Sequence, residues 1–501
     1  MRRKTPTGSR RAAGSRTGMA ACACVAACAC IAACALGPDY RRPDTNTPAA
    51  YRFEQDTSAE SVADAGWWQV YRDPALQALI RESLANNLDV RIAAARLDQA
   101  RAALGSARLQ QLPQIGVAAD ATRQRTSAYQ LPAGGRPVSN VFAAEGTLSY
   151  EIDFWGKYRR ATEAARAQLL QSSYAKQDVM AGLVAGVATA YFSLQALDEQ
   201  VAITRRTVGT RQKFVDLTQA QHDRGTVSQL DVATAQAQLA VAKANLPDLL
   251  RQIGQTENQL SVLLGHNPDR IVRGDSRAAR EDPASALVDQ PAPAGRPPVG
   301  RPPVPAAGLP SSLLERRPDL REAEQNLVAA NAEVGVAKAN LFPSITLTAA
   351  GGGVSSALSS LFSGPARTWS AGGELLQPLL NSQRNLYQLE LADAQKRQAL
   401  LQYQKSVQTA FQEVSDALIA RQQDADVQAA QEAQVDAQRR ANTIALARYR
   451  VGYASYFNVI DADRDLFTAE LALSAARLST QLSVVQLYRA LGGGWQTERP
   501  P

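Results

Sequence analysis

The sequence predicts a mainly α protein that carries a transmembrane β-barrel, built from a module of one β-hairpin and one long helical hairpin that occurs twice. Three observations predict it. The chain repeats itself once at a spacing of about 230 residues, each copy holds two short segments that alternate with period two, and each holds a proline-free helical stretch of about 64 residues. Leu112-Pro113-Gln114-Ile115 returns as Phe342-Pro343-Ser344-Ile345, Asn87-Leu88-Asp89 as Arg317-Pro318-Asp319, Arg224-Gly225 as Val451-Gly452, and Leu264-Gly265 as Leu491-Gly492. Two copies of so long a unit make a duplicated module and not a solenoid array, so the halves build pseudo-symmetric mates.

The N-terminus sets the compartment. Arg2, Arg3, Lys4, Arg10, Arg11 and Arg16, with no acidic residue among them, precede an Ala/Cys/Val stretch at about 19–33 that is too short to span a bilayer, the layout of an export signal. All five cysteines, Cys22, Cys24, Cys28, Cys30 and Cys34, lie in or at the end of this stretch, which excludes a disulfide framework in the mature chain. Ile31-Ala32-Ala33-Cys34 has the pattern of a bacterial lipobox, and Val25-Ala26-Ala27-Cys28 also fits it. Cys34 is preferred for lipid attachment, with 1–33 as signal peptide, because it leaves a longer apolar run before the cut and no free thiol after it. Cleavage there takes the formal charge from +7 to about +1. So nearly neutral a body is a poor polyphosphate binder, and nucleic acid drops out as a partner.

In the helical stretches, about 158–221 and 384–448, alanine, glutamine and leucine dominate, and apolar residues such as Leu183, Val187, Tyr191 and Leu194 recur at helical spacing. About 64 residues at 1.5 Å each make a rod of roughly 95 Å, which must lie against other helices in a bundle or coiled-coil wall. Returning helices at about 228–264 and 455–491 supply the partners, and Pro247 is a place for a kink in the first.

The alternating segments read as strands. In 140–154 one face carries Phe142, Leu148 and Tyr150, and the other carries Glu145, Glu151 and Asp153, so the acidic three are expected to face a lumen. The segment at 113–122 pairs with it across a Pro/Gly-rich loop at 131–137, and 344–350 with 367–376 repeats the device. Phe154, Trp155 and Trp369 suit an interfacial aromatic belt. Four strands do not close a barrel, and an open edge is not tolerated in lipid, so the barrel is shared among protomers: three copies give twelve strands. A soluble β-sandwich on helical stalks would need a second sheet to cover.

Cys34-Ala35-Leu36-Gly37-Pro38-Asp39-Tyr40, Trp67-Trp68 with Asp73-Pro74, Tyr150-Glu151-Ile152-Asp153-Phe154-Trp155-Gly156, the Leu-Glu-Arg-Arg-Pro-Asp-Leu run from Leu314 to Leu320, and Ala490-Leu491-Gly492-Gly493-Gly494-Trp495 together resemble the outer-membrane factors of tripartite efflux pumps, the lipoprotein branch of TolC-type channels. The resemblance covers nearly the whole mature chain. It implies a homotrimer with a twelve-stranded β-barrel in outer-membrane lipid and a helical barrel through the periplasm, docked to a periplasmic adaptor (membrane fusion protein) and an inner-membrane transporter of the RND type. It further implies anchoring by lipid on the periplasmic side and multidrug efflux. The expected organisation is a first repeat within 34–270 (hairpin 113–154, helical hairpin 157–265), a Pro/Arg/Ala-rich linker at 271–310, a second repeat at 311–492 (hairpin 343–378, helical hairpin 384–491) and a tail at 493–501. The linker, richest from Asp282 to Pro310, is where the chain departs from the family pattern.

The helix reversals carry the candidate site. Gly225 before Ser228, and Gly452 before Ser455, have the glycine stop and hydroxyl start of a tight helical hairpin, and Ser228 with Asp231 approximates a capping box. By the resemblance these reversals form the periplasmic tip, where Asp231, Tyr449 and Asp461 match gate residues and the turns dock the adaptor. Asn458 stands where some members carry an aspartate and Ala454 where some carry an arginine, which weakens the case for an ionic lock of that type and leaves Arg448, Arg450 and Arg464 as candidate partners. A capping role for Asp231 is the competing reading. Nothing points to catalysis, a cofactor or a metal: the two histidines, His222 and His266, are isolated, and no glycine-rich phosphate loop occurs. The function expected is an efflux exit channel, with a type I secretion channel as the alternative. Of the rival classes, a lipid-anchored adaptor would carry lipoyl-like domains flanking a single hairpin, and a structural coiled coil would lack strands with an apolar and an acidic face.

Overall fold

The computed structural model describes residues 35–45, 47–53, 62–130, 137–271, 310–379 and 382–495. The signal peptide with Cys34, nearly all of the linker at 271–310, the loop at 131–136 and the end of the tail lie outside the described residues.

After a single helical turn at Trp67–Val70, the elements are α1 (Pro74–Asn86), α2 (Leu88–Leu109), β1 (Gln114–Arg125), β2 (Val138–Glu151), α3 (Lys157–Asp223) and α4 (Gln229–Leu264). The second half repeats them as α5 (Pro310–Arg316), α6 (Pro318–Ala339), β3 (Ser344–Ser355), β4 (Arg367–Leu376), α7 (Ser382–Arg450) and α8 (Tyr456–Ala490). The helices α3 and α7 have 67 and 69 residues. α4 is assigned as one helix through Pro247.

Duplication extends to individual bonds. The Asn87 side-chain amide donates to the Leu263 carbonyl (3.0 Å), and at the same place in the second copy the Arg317 guanidinium donates to the Ala490 carbonyl (3.0 Å). Gly265 and Gly492 end the returning helices with φ of +83° and +85°. A side chain on Gly265 would start 2.5 Å from the Asn86 carbonyl oxygen, so close approach as well as backbone conformation demands glycine there.

The chain forms two compact units that cut across the repeats. One comprises residues up to 43 with 98–171 and 323–403, and it holds all four strands. They make one antiparallel sheet in the order β1-β2-β3-β4, so β2 and β3 join the two halves of the duplication edge to edge. β1 and β4 have no strand partner on their outer sides among the described residues. Where β2 meets α3, Trp155 stacks on Phe342 (4.6 Å) and its indole N–H donates to the Pro343 carbonyl (2.8 Å), so it is tied to the protein. The N-terminal segment lies on this junction: the Leu36 amide donates to the Trp155 carbonyl (3.0 Å), and Ala35 occupies the space a side chain on Gly156 would need. Arg160 is buried beneath the segment, paired with Asp39 and Glu163 at 2.7 Å each.

The other unit comprises 44–97, 172–322 and 404–501 and is helical. Its core gathers Trp67, Leu76 and Ile80 with Val187, Tyr191 and Leu194 of α3, Leu260 of α4 and Val485 of α8. The helical spacing read on α3 is thus its packed stripe. Asp73 caps α1 through the Ala75 amide (2.9 Å) and accepts the Tyr191 hydroxyl (2.7 Å), which fixes that helix onto α3. Arg317 is held by Asp319 (2.6 Å) and Glu413 (2.7 Å). Burial opposes its charge, and these two carboxylates outweigh it, holding its pKa above the ordinary value.

Candidate functional site

The sheet has two chemically distinct faces. The register places Ala118 opposite Glu145 and Glu145 opposite Gly352, with Thr346 opposite Glu374, so Asp120 of β1, Glu145 and Glu151 of β2 and Glu374 of β4 share one face of the sheet. Ile115, Val117, Phe142, Leu148, Leu347 and Leu375 share the other. The alternation seen along one segment is therefore a property of the whole sheet. Asp153 is a correction: it was expected on the acidic face, but β2 ends at Glu151. Asp153 lies beyond the strand and accepts the amides of Tyr158 (3.0 Å) and Arg159 (2.9 Å), capping the start of α3, with Arg159 also ion-paired to it. Strand alternation ran on past the strand because a helix N-terminus also wants a carboxylate. Glu151 itself receives the Tyr158 hydroxyl (2.7 Å) and Lys157 (3.2 Å).

The other candidate is the pair of helix reversals. Gly225 and Gly452 take φ of +73° and +80°, with the amide of each donating three residues back, to His222 (2.7 Å) and Tyr449 (3.0 Å). The next amides, Thr226 and Tyr453, donate to Gln221 (3.0 Å) and Arg448 (2.9 Å), which completes a Schellman motif in both copies. Ser228 then caps α4, and its capping box with Asp231 is closed from both sides: the Asp231 amide donates to the Ser228 hydroxyl (3.3 Å), while Asp231 Oδ2 accepts the Ser228 amide (3.0 Å) and hydroxyl (2.8 Å). Asn458 takes the place of Asp231 in the second copy and accepts the Ser455 hydroxyl (2.6 Å). Asp461 pairs with Arg464 on its own helix. Tyr449 donates to Gln221 (2.9 Å) and packs against Tyr456, which in turn packs against Phe214. Burial pushes the Tyr456 phenol up. Among the described residues no ion pair involves Arg448 or Arg450, and His222 bonds only the Val227 carbonyl of its own turn (3.1 Å).

Sequence reasoning missed the ion pair between Arg211 of α3 and Asp463 of α8 (2.8 Å). Arg211 is 5% exposed, also donates to the Gln238 carbonyl of α4 (2.8 Å), and lies over the Phe467 ring (5.2 Å), so one guanidinium ties three helices above the reversals. The signal was a cation in the stripe Thr204, Thr207, Arg211, Phe214, Thr218 at helical spacing.

The chain as a whole is similar to known proteins. The family model described as "Outer membrane efflux protein" matches residues 79–266 and 309–493. The chain is 37% identical over 467 residues to the probable efflux pump outer membrane protein TtgC of Pseudomonas putida, covering 92% of this chain and 93% of that one. It is 31% identical over 466 residues to the probable outer membrane lipoprotein SilC of Salmonella typhimurium, covering 92% and 95%. Among solved structures it is similar to the open state of the outer membrane channel MtrE of Neisseria gonorrhoeae, with a TM-score of 0.79 at 29% identity, covering 92% of this chain and 99% of that one. The match across both repeats and nearly the full length decides the class: the chain belongs to the outer membrane efflux protein family, whose members are channels of the outer membrane and not enzymes.

Proposed function

We propose that three copies of this chain close their sheets into a twelve-stranded barrel and serve as the exit duct of a tripartite efflux pump. The observation that carries this is the sheet with an apolar face, an acidic face and two open edges. In lipid each edge must be paired, and β4 of one copy against β1 of the next meets that need, as about eight strands is the smallest barrel observed. Glu145 and Glu151 then line a cation-favouring lumen. Cys34 is the lipid-bearing residue, and the close approach of its successor Ala35 to Gly156, between β2 and α3, supports an anchor near the barrel.

The hairpin ends are both gate and docking surface. Three copies present six pseudo-equivalent turns, at Gly225–Ser228 and Gly452–Ser455, to a periplasmic adaptor that links the duct to an RND-type transporter. Asp231 uses only Oδ2 in its capping box, and threefold convergence of Asp231 and Asp461 would repel and hold cations at a constriction. Single-channel recording in planar bilayers tests this. Asp231→Ala with Asp461→Ala should raise resting conductance and weaken divalent-cation block. Loss of thermal stability with parental conductance would leave Asp231 a capping residue and move the gate elsewhere.

A further inference from the structure

The apolar face of the sheet carries three charges in its strands, and all are arginine. Arg123 and Arg125 on β1 share the parity of Ile115 and Val117, and Arg367 on β4 shares that of Trp369 and Leu375. All three sit at the ends of their strands nearest the β1–β2 and β3–β4 loops, away from the ends that continue into helices. At the helix end the same face shows Ile115, Tyr150, Ile345 and Leu375 and no charge. The three side chains are exposed, and none of the ion pairs among the described residues involves them. The face's own ladder offers them nothing acidic: Arg123 stands opposite Asn140, Arg125 opposite Val138 and Arg367 opposite Gly353.

Unpaired arginine on a lipid-facing strand is costly near the bilayer midplane and nearly free at the interface, so these residues mark headgroup level. Trp369, two residues inward from Arg367 on the same face, is the aromatic expected just below that level. Because the helices leave the sheet at its other end and occupy the periplasm, the arginine end faces the outer leaflet. The headgroups there belong to a phosphorylated glycolipid, whose phosphates a planar guanidinium binds through two parallel bonds.

We propose that Arg123, Arg125 and Arg367 form a binding site for the phosphates of outer-leaflet lipid A. The site rests on the trimeric barrel above, because pairing β4 of one copy with β1 of the next, about 4.8 Å away, gathers the three guanidiniums at each seam between copies. Arg123 and Arg125 are about 6.8 Å apart along one face, enough for each to engage its own phosphate oxygen. The bound glycolipid would then bridge two protomers at a seam that no covalent bond crosses.

The test is native mass spectrometry of the full-length oligomer in detergent with added bisphosphorylated lipid A, dephosphorylated lipid A or phosphatidylglycerol. The parent should retain bisphosphorylated lipid A about tenfold better than the variant Arg123→Gln/Arg125→Gln/Arg367→Gln, with no difference for the dephosphorylated form. Equal retention by parent and variant overturns the proposal, and so does displacement of lipid A by phosphatidylglycerol at equal concentration. Should the triple variant fail to assemble, Arg367→Gln alone should lose about threefold, and no loss counts against the site. A parent that forms no trimer in the same spectra would instead remove the barrel reading, whereas intact trimers with unchanged lipid retention remove only the lipid site.

Discussion

Replacing Asp463 by Asn leaves a buried guanidinium without its counter-charge. Breaking a buried ion pair from one side costs about 3 to 5 kcal/mol, and here the low end applies. Arg211 keeps the Gln238 carbonyl and the Phe467 ring, and Asp463 is 21% exposed, so water replaces part of what is lost. A local cost of about 3 kcal/mol makes opening of this stretch on the order of a hundredfold easier. Hydrogen exchange at the backbone amides of 460–467 reads that opening directly, and it does so without requiring reversible unfolding of the whole protein. Arg211→Met alone should cost less, about 1 to 2 kcal/mol, because the stranded Asp463 carboxylate reaches solvent. Arg211→Met with Asp463→Leu should recover most of the loss, since apolar residues of similar size often replace a buried pair without penalty. If each single change moves exchange by less than about threefold, or the two effects simply add, the pair is not coupled and the reasoning fails.

Leu148→Arg should destabilise the proposed barrel by about 2 to 4 kcal/mol if Leu148 lies near the midplane, whereas Glu145→Arg should leave assembly intact and shift ion preference toward anions; equal damage from both contradicts the face assignment. Gly265→Val should lower the melting midpoint more than Gly225→Val, because both positions have left-handed backbone but a side chain at 265 also meets the Asn86 carbonyl at 2.5 Å while the space around Gly225 is open. Asp178 borders a polar cavity of about 110 Å³ with Arg317, Asp319, Glu413 and Arg489. Burial, then Asp319, raises its pKa above 3.8, so its charged form is penalised in the folded chain above the raised value and the penalty fades as pH falls toward 3.8. Asp178→Asn should therefore raise the melting midpoint at neutral pH, with the gain over the parent closing on acidification.

What was legible in the chain was whatever local chemistry decides. A left-handed glycine followed by a hydroxyl marks a helical hairpin, and Gly225, Ser228 and Gly452 form those turns because no distant residue is needed to satisfy them. Strand faces were legible for the same reason, since alternation is intrinsic to the pleat. Asp153 shows the limit: alternation says which face a residue takes and nothing about where the strand stops. Contacts of long sequence separation were not legible. Arg211 in the threonine-rich stripe that packs inward calls for a buried partner, but the sequence does not say that the residue it meets lies 252 positions on.

The duplication itself is kept in bonds more than in residue types. Asn87 and Arg317 differ in size and charge, yet both donate to the carbonyl at the end of the returning helix. Asp231 and Asn458 differ in charge, yet both accept the hydroxyl that opens it. What the halves share is a set of groups at the helix ends that call for a partner, a carbonyl where the returning helix closes and a serine hydroxyl where it opens, and either side chain can meet that need. The Arg211–Asp463 pair breaks the pattern, because the corresponding positions are Gln438 and Gln236. A neutral counterpart gives the second copy no reason to repeat the ion pair, so the charged contact is made once, by α3 with α8, while the same guanidinium also reaches the backbone of α4. Pseudo-symmetry thus holds where each half closes on itself and lapses where α3 of one half meets α8 of the other.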